Sequence, residues 1–267
     1  MDDLSFPQIE LDAAWFDAIA TRASRRRFDG RSVRADDLER VRSVCRRVSA
    51  TEAGGVRAVV VDAAPDGLFK GLIGKYGAAI VGAPAFVAFV AGPNWHIDVG
   101  YAGEAVVLEA TAAGIDTCWI AGSFDASVAG RRVDLLEGEQ VRAVTPLGYG
   151  ARDVRGGERF LNAVIRPRSR VDLERIAPGS DGWPEWARQA AQAARLAPSG
   201  KNLQPWRLRM DGDALVLSST TERPYWTARI DCGIAALHAE LGARRADVAG
   251  TWQRLAAPEV ARFIPVA

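Results

Sequence analysis

The stretch DVGYAGEAVVLEATAAG (residues 98–114) decides the fold, because a second part of the chain repeats its pattern. In both places an Asp-x-Gly precedes a Trp at the same spacing, from Asp98 to Trp119 and from Asp231 to Trp252. Alanine-rich helices produce chance identities easily, so the shared spacing carries more weight than the identities between these anchors. The identities recur at one constant offset of 133 residues: Ala102 with Ala235, Leu108 with Leu241, and Ala113 with Ala246. The sequence therefore predicts a duplicated unit.

Duplication predicts how the two copies pack. Copies related by a pseudo-two-fold axis form the intramolecular equivalent of a symmetric dimer, in which the same patch of each half faces the other. We expect helices at 98–113 and 231–246 to make this contact, because small side chains permit close axial approach. The small residues are Gly100, Ala102, Gly103 and Ala105 on the first helix, and Gly233, Ala235, Ala236 and Ala239 on the second. Without the repeat, ordinary buried helices would explain this composition equally well.

Hydrophobic periodicity predicts that helices and strands alternate through both halves. Besides the two central helices, the predicted helices lie at 13–21, 35–48 and 183–195, and the predicted strands at 56–62, 83–91, 115–122, 141–150, 206–210, 214–219 and near 261–266. The resulting fold class is α+β of α/β type, with two pseudo-symmetric repeats that are each a sheet flanked by helices. We expect residues 1–165 to form the first half and residues 166–267 a second, truncated half, packed as one unit.

Composition limits the partners and the compartment. The 34 basic and 33 acidic residues leave a net charge of +1, which gives no electrostatic case for nucleic acid or an anionic membrane. The sequence predicts neither a signal peptide nor a membrane span, because no leader opens it and no uncharged apolar run reaches about 18 residues. Three widely spaced cysteines, an odd number, favour a reducing compartment, so we expect a cytoplasmic protein with a small-molecule ligand.

Two arginine clusters are candidates for binding an anion. In TRASRRRF (21–28), Arg22, Ser24 and Arg26 alternate, and an extended segment places such residues on one side. Arg168 and Arg170 repeat the alternation in RPRSR (166–170). Taken alone, each cluster is more typical of a solvated basic loop. If the two converge, their planar guanidinium groups suit a phosphate monoester.

The stretch APSGKNLQPW (197–206) reads as a helix stop followed by a tight polar turn. Pro198 ends the preceding helix and Pro205 directs the chain into the next strand. The polar side chains of Ser199, Asn202 and Gln204 either satisfy the turn's own backbone or present donors and acceptors to a flat heterocycle.

The common catalytic motifs are absent from the sequence. Its two histidines, His96 and His238, stand at no zinc-ligand spacing, so we expect no metal site. There is no G-x-S-x-G, P-loop or Rossmann fingerprint either. Any chemistry would therefore come from a bound cofactor.

Together these motifs resemble the nitroreductase family of FMN-dependent oxidoreductases. The resemblance lies in RASRRRF (22–28), GYAGE (100–104), TCWIAG (117–122), PLGY (146–149) and, with the greatest specificity, APSGKNLQPW (197–206). In the usual family order, the first and last of these motifs lie close together, within some forty positions, whereas here about 170 separate them. That order resembles a subgroup in which two half-units are fused into one chain, with one half supplying the arginine clamp and the other the Pro-Ser-x-x-Asn turn.

The resemblance implies roles for individual residues. Arg22, Ser24, Arg168 and Arg170 would hold the FMN phosphate, and Arg26 would lie by the N1/O2 edge of the flavin. The remaining cofactor-binding residues that it implies are Ile120, Ala121 and Gly122, whose backbone would approach N5, and Pro198, Ser199, Asn202 and Gln204 from the other half. No side chain would act as a catalyst, since flavin N5 carries the chemistry. The second half lacks the Arg-Ser motif, so we expect one site in each chain.

The expected function is an FMN-dependent oxidoreductase that takes electrons from NADPH or NADH and passes them to a nitroaromatic, a quinone or a similar flat electrophile. A monomer is sufficient, because the chain is an internal pseudo-dimer. Two alternatives remain open. The first is an FMN-dependent oxidase or dehydrogenase of a biosynthetic intermediate, and the second is a protein that stores or senses FMN without turnover.

Overall fold

The computed structural model describes residues 6–50, 55–69, 80–151, 169–220 and 226–266. The helices are α1 (Ala14–Thr21), α2 (Ala35–Ser49), α3 (His96–Ala112), α4 (Ala126–Gly130), α5 (Leu173–Ile176), α6 (Glu185–Arg195) and α7 (Trp226–Arg245). The strands are β1 (Val56–Val61), β2 (Ala85–Ala91), β3 (Asp116–Thr117), β4 (Gln140–Gly148), β5 (Trp206–Asp211), β6 (Ala214–Ser219), β7 (Gly250–Arg254) and β8 (Glu259–Pro265).

These strands form two antiparallel sheets with the same topology. The first sheet has the order β1-β2-β4-β3 and the second β5-β6-β8-β7, so each strand of the first half has a counterpart in the second. Strand β2 lies between two neighbours and is buried along its whole length, as its apolar sequence predicts. The α+β class and the two repeated sheets are therefore confirmed.

The helices α3 and α7, one from each half of the sequence, cross at the centre of the molecule. A Cβ added at Gly100 would lie 2.0 Å from the carbonyl oxygen of Ile230, and one added at Gly233 would lie 1.9 Å from that of Ile97. The repeat offset relates Gly100 to Gly233 and Ile97 to Ile230, so the crossing is reciprocal. Because only glycine allows the backbones to approach so closely, the predicted contact between the helices at 98–113 and 231–246 is confirmed.

The short helices α4 and α5 were not predicted, and three further details of the secondary structure differ from the prediction. The stretch 115–122 contributes only Asp116–Thr117 to the sheet, because the chain then leaves the edge and returns at Ile120 for an isolated bridge to Val144. Strand β7 was not predicted, since GTWQR lacks a clear apolar alternation and only its Gly and Trp are buried. Helix α7 begins at Trp226, about one helical turn before its predicted start.

Buried polar pairs join the halves at their interface. The carboxylate of Glu104 on α3 lies 2.9 Å from His238 Nε2 on α7, and the side chains of both residues are fully buried. The hydroxyl of Tyr101 donates to Glu240 at 2.6 Å. Within the part of the chain that the structure describes, no helix is long and apolar enough to cross a membrane. The predicted boundary at 165/166 lies outside the described residues.

Candidate functional site

The turn after α6 has an unusual backbone. Lys201, Asn202 and Gln204 have φ angles of 51°, 57° and 50°, in the left-handed region that normally favours glycine. Each such residue costs roughly 1–2 kcal/mol, so surrounding contacts must impose the conformation. Strain of this kind concentrates at ligand and active sites, so the strained backbone makes this turn a candidate part of the functional site.

The segment that follows residue 168 holds the turn in place. The Asn202 side chain donates to the carbonyl of Ser169 at 2.8 Å and accepts from Arg170 Nη1 at 2.8 Å. Gln204 accepts from the backbone N–H of Val171 at 2.9 Å, while its own backbone N–H donates to Ser199 Oγ at 2.9 Å. These bonds explain how the chain sustains left-handed residues in such close succession.

Gln204 corrects one expectation from the sequence. We expected its amide to bind the cofactor, but its side chain is buried and its Nε2 donates to backbone carbonyls, including that of Asn202 at 3.1 Å. Its Oε1 accepts a hydrogen bond from Val171, so the oxygen and the nitrogen of the side-chain amide both make hydrogen bonds within the protein. Gln204 is therefore a structural residue of the turn, whereas Asn202 and Ser199 are partly exposed.

Three arginines from distant parts of the sequence meet beside the turn. Burial, together with the nearby charges of Arg22 and Arg195, lowers the pKa of Arg170 to about 10. Arg170 also donates to the carbonyl of Leu196 at 2.9 Å. Among the described residues, the buried Nε and Nη1 of Arg22 have no hydrogen-bond partner. Like charges are thus gathered around unsatisfied guanidinium donors, which is the arrangement expected of an anion site.

The rest of the predicted arginine motif runs along the edge of the first sheet. Ser24 forms a parallel bridge with Thr117, and the N–H of Arg25 donates to the Thr117 carbonyl at 2.8 Å. The Arg26 carbonyl accepts from the N–H of Val81 at 2.9 Å. Ser24 and Arg26 therefore lie on the same edge as residues 117–122. Arg168 lies outside the described residues.

The predicted N5 segment, residues 120–122, divides into two parts. Ile120 exchanges both backbone hydrogen bonds with Val144 at 2.9 Å, so its backbone is engaged in the sheet and the expectation that it approaches a ligand is corrected. Gly122 has a φ of 75°, and a Cβ there would lie 3.2 Å from the indole of Trp226. The Trp226 ring is 39% exposed and lies 5.6 Å from the His96 ring. Ala121 and Gly122 are thus the residues that remain candidates.

The first turns of α7 connect these parts. Trp226 contacts Gly122, and Asp231 accepts a hydrogen bond at 3.0 Å from the N–H of Gly200 in the turn. The helical rise between Trp226 and Asp231 is about 7.5 Å. The structure therefore brings the N5 segment, the polar turn and the arginine group to one region between the halves, close to the start of α7. The proline of the turn, Pro198, is buried there.

Sequence reasoning missed Asp231 as a site residue. Burial raises its pKa to about 7, and the hydrogen bond from Gly200 opposes the shift. Its repeat counterpart Asp98 instead forms an ion pair with Arg254. The signal was present in the repeated Asp-x-Gly, which we interpreted only as a marker of the duplication.

Within the described ranges, no group of three or more His, Cys, Asp or Glu side chains lies where it could hold a metal ion. The three cysteines, Cys45, Cys118 and Cys232, are all buried.

Comparisons with known proteins agree with this architecture. The model of a family described as "Putative TM nitroreductase" matches residues 15–243, which is more than half of the chain. A search of curated proteins found no match. A crystal structure described as a "putative nitroreductase" from Thermotoga maritima has 20% sequence identity, covers 99% of this chain and 98% of its own, and gives a TM-score of 0.62.

Two further crystal structures, each described as a nitroreductase with bound FMN, match about half of the chain. The one from Bacteroides fragilis has 22% identity over 52% of this chain and 90% of its own, with a TM-score of 0.42. The one from Desulfitobacterium hafniense has 19% identity over 54% of this chain and 92% of its own, with a TM-score of 0.45.

Proposed function

The chain belongs to the nitroreductase family of FMN-dependent oxidoreductases, and we propose that it binds one FMN between its halves and transfers electrons from NADPH or NADH to a flat electrophile such as a nitroaromatic or a quinone. The observation that carries this proposal is that Arg170, which bonds to Asn202 in the 199–202 turn, lies near enough to the distant residue Arg22 to feel its charge. The resemblance implies the same grouping for FMN, with one half supplying a clamp and the other a turn.

The residues present fit FMN. The buried, unsatisfied Nε and Nη1 atoms of Arg22 are donors of the kind that a phosphate monoester accepts, and Arg170 adds a second guanidinium. Ser24 and Arg168 complete the proposed phosphate set. Each charge-assisted hydrogen bond contributes about 1.5–3 kcal/mol, so a few are enough to hold the cofactor.

The other proposed contacts are to the ring system. Pro198, Ser199 and Asn202 would contact the flavin from the second half, while Ala121 and Gly122 would approach N5 and Arg26 the N1/O2 edge. When bound, FMN supplies the two-electron chemistry. The protein orients the cofactor, places positive charge beside it and excludes water, and we assign no catalytic side chain.

The site supports one FMN in each chain. At the repeat-related place, Arg254 of the second half pairs with Asp98, and the ring of Phe6 stacks on Trp252 with centroids 5.8 Å apart. Arg254 and Asp98 are the repeat counterparts of Ala121 and Asp231, so the two related places differ in their charged groups, and the second half also lacks the Arg-Ser motif. Since both halves belong to one chain, a monomer carries a complete site.

The test is reconstitution with FMN, followed by titration. We expect one FMN per chain and bleaching of the bound flavin by NADPH or NADH under nitrogen, with recolouring when a quinone is added. The variant Arg22→Ala should weaken FMN binding roughly 10- to 100-fold, from the loss of one charge-assisted group, whereas Arg132→Ala, an exposed arginine after α4, should leave it unchanged. A chain that retains no FMN would contradict the proposal. A flavin that neither nicotinamide bleaches would instead favour a storage protein.

A further inference from the structure

Asp231 lies directly beneath the turn of the proposed FMN site. Its Oδ1 accepts the Gly200 N–H at 3.0 Å, and a Cβ added at Gly200 would lie 3.7 Å from its Oδ2. The residue is only 4% exposed. Within the described part of the chain, Oδ2 is buried without a hydrogen-bond partner. A buried carboxylate oxygen without a partner is costly, and protonation of that oxygen removes its charge and lowers the cost.

The internal repeat provides a comparison within the same molecule. Asp98, the repeat counterpart of Asp231, faces the guanidinium of Arg254. The same offset relates Arg254 to Ala121 in the first half. The position that supplies a cation to Asp98 therefore carries an uncharged alanine in the other half. Each half therefore carries a carboxyl group at this position, but an arginine neutralises only that of Asp98.

The charged groups around Asp231 do not replace the missing arginine. On its own helix, the charge of Arg229 acts on Cys232 and His96. In the turn, Lys201 is exposed to solvent. No described cation forms an ion pair with Asp231, and burial raises the pKa of this carboxyl to about 7. Of the group of Arg22, Arg170 and Arg195, Arg170 contacts the turn at Asn202, whereas Asp231 contacts it at Gly200.

We propose that Asp231 is a positioning residue that couples proton uptake to FMN binding. Its Oδ1 fixes the Gly200 N–H in both protonation states, and its Oδ2 takes up a proton when the anionic cofactor occupies the site. This inference rests on the proposed function, because it requires FMN beside the turn.

The sign of the coupling follows from the charges. An anion brought close to a carboxyl favours the neutral form, so bound FMN raises the pKa of Asp231 above its value of about 7 in the empty protein. Between these two pKa values, binding takes up a proton and the affinity falls as the pH rises. The second ionisation of a phosphate monoester, near pH 6, has the opposite effect, because the dianion binds arginine more strongly. Burial and the charges of Arg142 and Arg229 lower the pKa of His96, which places its titration below this window.

The experiment is calorimetric titration of the apoprotein with FMN at pH 7.5, in two buffers that differ in ionisation enthalpy. The difference in heat gives the number of protons taken up, and we expect roughly half a proton or more for the wild-type chain. We also expect the FMN affinity to fall by about fivefold or more between pH 6.5 and pH 8.5.

The variant Asp231→Asn mimics the protonated form, since its amide keeps an acceptor for Gly200 and places N–H donors at the other position. It should take up no proton and should bind FMN more tightly than the wild type at pH 8.5, by about fivefold. A residue that only supports the fold would not improve binding. The matched control is Asp98→Asn, the repeat partner, which should retain the wild-type pH profile of FMN binding.

The outcomes separate this inference from the proposed function. If the wild-type chain binds no FMN at any pH, the proposed function fails. If it binds FMN without proton uptake, or if Asp231→Asn keeps the wild-type pH profile, the coupling is overturned while the cofactor assignment stands. The wild-type proton count decides the question even if the variant does not fold.

Discussion

The crossing of α3 and α7 provides a direct test of the duplicated architecture. The substitution Gly100→Ala places a methyl group 2.0 Å from the carbonyl oxygen of Ile230 and 3.0 Å from the N–H nitrogen of Ile234. Both are backbone atoms of a helix, so they cannot rotate away as a side chain would. The helices must separate to accommodate the group.

The expected loss of stability combines two opposing effects. Overpacking costs about 1–3 kcal/mol, and the rigid backbone contact puts Gly100→Ala at the upper end of that range. Alanine in place of glycine within a helix recovers about 1 kcal/mol. The net destabilisation is about 2 kcal/mol, which lowers Tm by about 4–8 °C in a chain of this size. Gly233→Ala, with its contact of 1.9 Å to the Ile97 oxygen, should have the same effect.

The assay is thermal unfolding followed by circular dichroism, without added FMN, because a bound ligand would raise Tm by mass action. The double variant should lose less stability than the two single losses together, since both methyl groups force the same crossing apart. The control is Gly182→Ala, where an added Cβ meets no atom within 4 Å. A Gly100→Ala protein as stable as the wild type, or more stable, would refute the close reciprocal crossing.

Three further predictions concern the interface and the site. His238→Leu removes the partner of one oxygen of the buried Glu104 carboxylate, while the other oxygen keeps the N–H of Trp119, so urea unfolding should show a loss of about 3 kcal/mol. Glu104→Gln keeps a hydrogen bond and should lose less than half of that; equal losses would contradict the pairing. Asn202→Gly tolerates the φ of 57° but loses the hydrogen bonds to Arg170 and Ser169. We expect FMN binding to be about tenfold weaker by fluorescence titration. An unchanged affinity would count against a role of the turn in FMN binding. Trp226→Ala removes an exposed aromatic ring beside Gly122. If this ring contacts the electron acceptor, the KM of an aromatic acceptor should rise roughly 3- to 10-fold while the FMN affinity stays unchanged. A change in FMN affinity alone would exclude Trp226 as an acceptor contact.

The features that the sequence predicts well are those carried by periodicity and spacing. The central helices follow from the recurrence of Asp98 and Asp231 before their tryptophans, and the buried strand β2 follows from its uninterrupted apolar run. Small residues along α3 and α7 then require close packing. Each of these properties is local, or is repeated at a fixed offset, so it is visible without coordinates.

Other features depend on contacts between distant residues. The local sequence does not predict the left-handed conformation of Lys201, because hydrogen bonds from the segment after residue 168 impose it. The same bonds turn Gln204 into a structural residue, although its type and position suggest a ligand. Asp231 reads as a helix residue, and only its bond to Gly200, in a distant turn of the chain, places it beneath the site.

The ion pair between Asp98 and Arg254 illustrates what becomes possible when both halves belong to one chain. In a homodimer every substitution appears in both subunits, so an arginine that neutralises one carboxylate also neutralises its symmetry mate. In the fused chain, positions 121 and 254 evolve independently, and one carries alanine while the other carries arginine. The two halves therefore differ at this position: Asp98 is held in a salt bridge, whereas Asp231 pairs with no described cation.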